Sequence, residues 1–145
     1  MTKEMQSEDP NPEENGQDEN DAVSSTSLVD PGDTALMHEV DGWLSHIWMV
    51  RAFLKHSDEA AEDEELAEVH RGLYDFMLAL GPSLDANDAA RYLRIARKKL
   101  NKLRVASESF KALQPEISGH MNFRMAAMSL SHAVSKVNEL LRKQE

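Results

Sequence analysis

The sequence predicts an all-α protein, an antiparallel up-down four-helix bundle behind a disordered acidic N-terminal tail. Three observations predict it. Apolar residues recur at steps of three and four in four separate stretches after residue 33, the repeat of one helix face. No stretch alternates apolar and polar residues as a strand does. The connections are short, which favours antiparallel neighbours. A three-helix core with the first or last helix displaced is the alternative packing.

Charge separates tail from body. The formal net charge is −10 over 145 residues. Residues 1–33 hold ten acids and a single base, Lys3, leaving 16 acids and 15 bases for residues 34–145. The tail is rich in Glu, Asp, Asn, Ser and Pro and has no aromatic residue. Burial cannot offset the entropy of ordering such a segment, so disorder is expected to about Asp30. Pro31-Gly32 reads as a turn, and the domains are therefore 1–33 and 34–145.

The first helix spans about 34–56, with Leu36, Val40, Trp43, Ile47, Val50 and Leu54 as its seam and Asp33 or Thr34 as cap. Gly42 interrupts it and would permit a close approach by a neighbour. The second helix runs from about Glu62 to Leu80 on Leu66, Val69, Leu73, Phe76 and Leu80, and Gly81-Pro82 is expected to stop it. The third begins near Asp88, with Asp85 or Asn87 as possible caps. Its seam is Ala89, Leu93, Ala96, Leu100, Leu103 and Phe110, and it should end before Pro115. The fourth spans about 118–143 on Phe123, Ala127, Leu130, Val134, Val137 and Leu141, capped by Ser118.

The chain has no cysteine, which excludes disulfides, thiolate catalysis and thiolate-bound zinc. Neither a signal-peptide apolar core nor a membrane-length apolar run is present, so a cytoplasmic protein is expected. No Glu-x-x-His pair occurs, as a di-iron bundle would require. His38 with Asp41, and Glu116 with His120, fall short of a coordination shell. There is no phosphate-binding glycine loop and no nucleophile elbow, and Ser131-His132 reads as helix surface. No catalytic residue, cofactor or metal is therefore assigned.

Two features point to partners. Trp43 lies on the seam of the first helix, whereas Trp48 lies well off it and needs a second surface to cover it. His46 sits at the seam border, with Phe53 at nearly the same angle. On the fourth helix, Met121, Met125, Met128 and His132 lie opposite the main seam, and methionine suits adaptable contacts. Trp48, Met121, Met125, Met128 and His132 are thus the candidate interface, for a second copy of the chain or another protein. The competing reading places both stripes inside an irregular bundle.

Seven acids fall between Asp58 and Glu68 and seven bases between Arg91 and Arg104. In a hairpin turning near Gly81-Pro82 the two blocks are expected to face one another in part, which would select that helix pairing. The basic helix could instead contact a polyanion through Arg94, Arg97, Lys98, Lys102 and Arg104. The leading expectation is a small interaction or regulatory module that self-associates. A ligand-binding or enzymatic bundle, and a nucleic-acid-associated protein, are the alternatives.

The segments VDGWLSHIWMVRAFL and VHRGLYDFMLALG resemble the opening helices of the PduO-type cobalamin adenosyltransferase family. That resemblance implies a helical bundle that binds ATP and cobalamin between subunits. The PGDTALM segment lacks the family's full glycine-rich nucleotide pattern, and its arginine-rich catalytic helix has no counterpart. The resemblance transfers no site residue.

Overall fold

The computed structural model describes residues 30–143, and these are helical nearly throughout, with no strand among them. The helices are α1 (Pro31–Lys55), α2 (Asp58–Glu62), α3 (Glu64–Asp85), α4 (Ala89–Ile117) and α5 (Met121–Lys143). The expected disorder of the acidic tail concerns residues that, up to 29, lie outside those described.

α1 starts at Pro31, three residues before the expected boundary, so Pro31-Gly32 opens a helix rather than forming a turn. Proline suits the first helical position, because the N–H it lacks would have no intrahelical acceptor there. Asp33 then places a carboxylate beside the positive end of the helix dipole.

The helix expected from about Glu62 begins at Glu64, and a short extra helix, α2, precedes it. Ser57 caps α2, its Oγ accepting from Ala60 N at 3.1 Å and donating to Leu54 O at 2.7 Å. Asp63 caps α3, its Oδ1 accepting from Leu66 N at 2.9 Å. A side chain that bonds the backbone three residues ahead ends one helix as it starts the next.

Neither Pro82 nor Pro115 stops its helix where expected, since each lies inside the last turn. A helical proline leaves the carbonyl four residues earlier without its bond. Those carbonyls belong to Leu78 and Lys111, both exposed, where water can take the vacant place.

The α3–α4 turn corrects the expected caps. Asn87 has φ 54° and is the left-handed residue that ends α3, not the cap of α4. Asn87 N donates to Leu84 O at 3.0 Å and Asp88 N to Ser83 O at 2.8 Å, the paired bonds of a Schellman ending. Asp88 caps α4, its Oδ1 accepting from Arg91 N at 3.2 Å. Asn87→Val should destabilise the protein by about 1–2 kcal/mol, and Asn87→Gly should not. Urea denaturation of both variants checks this.

Before α5, Ser118 is the C-terminal cap of α4. The cap of α5 is His120, whose Nδ1 accepts from Asn122 N at 3.0 Å.

The core draws on α1, α3, α4 and α5. Tyr92, Phe110, Met37, Leu44 and Ile47 are among its largest fully buried side chains. The Tyr92 hydroxyl donates to Asp41 Oδ1 at 3.1 Å, joining α4 to α1. Burial, then the Asp41 charge and this hydrogen bond, hold the Tyr92 pKa far above the ordinary phenol value. Phe53 of α1 meets Phe123 of α5 edge-on, with centroids 5.0 Å apart.

The close approach expected at Gly42 occurs instead at Gly72. A Cβ on Gly72 would lie 3.9 Å from Ala106 Cβ, ordinary van der Waals contact, whereas one on Gly42 would meet nothing within 4 Å. Gly72→Ala should therefore stabilise the protein by about 0.5–1 kcal/mol, read as a raised urea midpoint.

Candidate interaction surface

α1 is amphipathic in an unusual way. Its inward residues are those of an ordinary core, but its outward ridge carries almost no charge. His38, Gly42, Ser45, Met49 and His56 recur at steps of three, four and seven, and all five are exposed. None carries formal charge with histidine neutral, in a chain that is 29% charged. Two of the polar groups are already satisfied within the helix. Ser45 Oγ donates to Gly42 O at 2.6 Å, and His56 Nδ1 donates to Ala52 O at 2.9 Å. Covering this ridge would leave few polar groups without partners.

One flank of the ridge is a groove of about 570 Å³ between α1 and α3. Trp48, Tyr74 and Leu78 form its apolar wall, and Asp41 and Asp85 also line it. Trp48 and Tyr74 lie with ring centroids 6.3 Å apart. The guanidinium of Arg51 sits 4.4 Å from the Trp48 ring and 4.7 Å from the Tyr74 ring. Arg51 is only 9% exposed, and its Nε has no hydrogen-bond partner. The two ring faces supply the electrostatic stabilisation that a carboxylate would otherwise give. The second surface that Trp48 requires is therefore partly intramolecular, although Trp48 keeps 40% of its surface open.

Arg51 also acts on His70. Burial is the largest cause that lowers the His70 pKa below the ordinary 6.5, followed by the positive charges of Arg71, Arg51 and Lys55. The folded protein then binds fewer protons at His70 than the unfolded chain does. This contribution to stability is complete above about pH 6.5 and declines as pH falls through that value towards the lowered folded pKa. His70→Gln should flatten this part of the pH dependence, measured as urea midpoints at about pH 7.5 and about pH 5.5.

The other flank is a groove of about 380 Å³ between α1 and α5, lined by Trp43, His46, Met125, Met128, Ser129 and His132. Met121 extends the same α5 face one turn towards its start, and Met121, Met125 and Met128 are all exposed. Trp43 lies against His46 with centroids 5.5 Å apart. Of the five candidate interface residues, Met125, Met128 and His132 thus share this groove, with Met121 beside it. Trp48 lies on the opposite flank of α1.

The five basic candidates do not all share one surface: Arg94, Lys98 and Lys102 follow at steps of four on one exposed face of α4, whereas Arg104 lies on another and Arg97 turns towards α5. Arg94, Lys98, Lys102 and Arg104 are exposed, but Arg97 is half-buried and its Nε donates to Leu141 O at 3.1 Å, near the end of α5. Lys102 lines a groove with Glu65 and Glu68, and Arg104 lines another with Glu108. The expected facing of acidic and basic blocks is also mostly absent. Among the described residues no ion pair joins them, and Glu64 pairs instead with Arg71 on its own helix at 2.9 Å. Of the seven bases, only Lys102 shares the groove of Glu65 and Glu68.

Tyr74, Leu78, Met49 and Arg51 complete the surface and were not singled out by sequence reasoning. The Trp48–Arg51 spacing of three, on one helix face, is the signal that would have found the arginine. Among the described residues no group of three His, Asp or Glu side chains is arranged to hold a metal ion. No described helix is long and apolar enough to cross a membrane.

No protein-family model, curated protein or solved structure matches this chain.

Proposed function

We propose that this protein is a self-associating helical interaction module whose contact surface is the outward face of α1 with its two flanking grooves. The observation that carries the reading is the uncharged α1 ridge between exposed apolar walls. Leu78 is 58% exposed on one side and Met121 is 60% exposed on the other, with Met49 between them at 65%. Large exposed apolar side chains grouped around one ridge mark a contact surface more often than scattered ones do. A second copy of the chain is the proposed partner, since an isologous contact about a two-fold axis would bring this uncharged ridge onto itself without like-charge repulsion.

The module is read as an up-down bundle of α1, α3, α4 and α5. Phe53 beside Phe123, Arg97 beside Leu141 and Asp41 in one groove with Asp85 each bring the earlier part of one helix near the later part of its neighbour, or the reverse. These pairs support antiparallel neighbours around a closed square, with α1 diagonal to α4.

Replacing both Met125 and Met128 with glutamine should keep helicity by circular dichroism and weaken self-association. Sedimentation velocity over a concentration series reads the second effect. A wild-type chain that stays monomeric throughout rejects the proposal. Unfolding of the double variant would assign both methionines to the core instead.

A further inference from the structure

We infer that the groove between α1 and α5 binds a soft monovalent metal ion, Cu(I), through His46, Met125, Met128 and His132. This goes beyond the self-association reading and does not depend on it.

The argument starts from the donors. Six residues line this groove, and four of them carry a thioether sulfur or an imidazole nitrogen. None is a carboxylate. Met125, Met128 and His132 follow one another on α5 at steps of three and four, so their side chains leave the helix on one face. His46 comes from α1 across the groove. Donors from two helices therefore line the same open groove.

The chemistry of the set selects the ion. Thioethers are soft, uncharged and polarizable, and they favour Cu(I) over harder divalent ions. Imidazole accepts copper equally well. Calcium and magnesium require oxygen ligands, which here reduce to the Ser129 hydroxyl. Zinc sites are built from thiolate, imidazole and carboxylate, of which only imidazole is present. A monovalent ion needs less compensating charge from a neutral donor set. The indole of Trp43, tilted against His46, adds a ring face that attracts a cation.

Packing needs alone leave this pattern unexplained. Methionine serves an adaptable apolar contact as well as a ligand set, but apolar contact gains nothing from two histidines in the same groove. Methionine and histidine together supply a coordinating set that leucine cannot.

The test is anaerobic titration of the full chain with Cu(I) in competition with the chromogenic chelator bicinchoninate. The wild type should remove one Cu(I) per chain from the chelator and quench the fluorescence of Trp43, measured in a Trp48→Phe background. An equimolar amount of Zn(II) should not displace it. Met125→Leu with Met128→Leu should weaken Cu(I) binding by more than the roughly 10–100-fold typical of losing an outer-shell partner. His132→Gln should weaken it independently of the methionines, with circular dichroism verifying the fold of each variant. Failure of the wild type to compete overturns the inference, as does displacement by zinc or unchanged affinity in the leucine pair. Leucine preserves the apolar surface, so that pair should still self-associate, and the two readings therefore fail separately.

Discussion

Gly42→Arg is expected to abolish self-association while making the monomer more stable. Gly42 lies at the middle of the uncharged ridge of α1, and a side chain there would enter open space. Arginine is a far better helix former than glycine, so the monomer should gain about 0.5–1 kcal/mol. In the proposed dimer the two guanidinium groups would be desolvated on the ridge, whose own five residues include no carboxylate. Leaving a charge buried without a partner costs about 3 kcal/mol or more, which is roughly a hundredfold in the dissociation constant. Gly42→Ala should gain similar monomer stability and still associate. Sedimentation velocity and urea denaturation on both variants separate the two effects. Equal association of Gly42→Arg and wild type would show that α1 is not the contact.

Arg51→Ala is expected to produce the largest loss of stability among single changes at this surface, about 2–4 kcal/mol. The arginine stem is buried between helices and its guanidinium lies over two aromatic rings. Truncation removes both ring contacts and leaves a gap between Trp48 and Tyr74. Arg51→Met should cost less, because it keeps the apolar stem and removes the buried Nε that has no hydrogen-bond partner. Urea midpoints rank the three proteins, and near-ultraviolet circular dichroism reports whether the Trp48–Tyr74 pair persists. A midpoint for Arg51→Ala equal to that of wild type would mean that the sandwich does not hold α1 against α3. Both arginine variants should also raise the His70 pKa towards its ordinary value, since Arg51 is one of the charges that lower it.

What the sequence by itself determined was the helical content and the inward face of each helix. Leu36, Val40, Ile47 and Leu54 on α1 are buried, as are Leu66, Val69, Leu73, Phe76 and Leu80 on α3. Leu93, Leu103 and Phe110 on α4 follow the same rule, as do Phe123, Leu130, Val134, Val137 and Leu141 on α5. These are properties of one helix at a time, because a repeat of 3.6 residues places a side chain on its own cylinder without reference to any neighbour. The exposure of Met125 and Met128 was legible in the same way.

Only the tertiary structure decided which neighbour stands at each edge. The wheel position of Trp48 shows that it leaves the seam, but not that Tyr74 and Arg51 wait there. It equally does not show that Met125 and Met128 lie across α1 from it, beside Trp43 and His46. The axial register of α3 on α4 was also hidden. It brings Gly72 against Ala106 and places Glu65 and Glu68 in a groove with Lys102, while Arg104 lines a different groove. Charge blocks read along the chain carry no information about such an offset. Packing decides it through the summed fit of side chains distant in sequence, and exposed ion pairs of about 0–1 kcal/mol are too weak to overrule that fit. The helix ends failed for a local reason instead. Proline, asparagine and serine each suit more than one position at a helix terminus, and the bonds available in the folded chain determine which one they occupy.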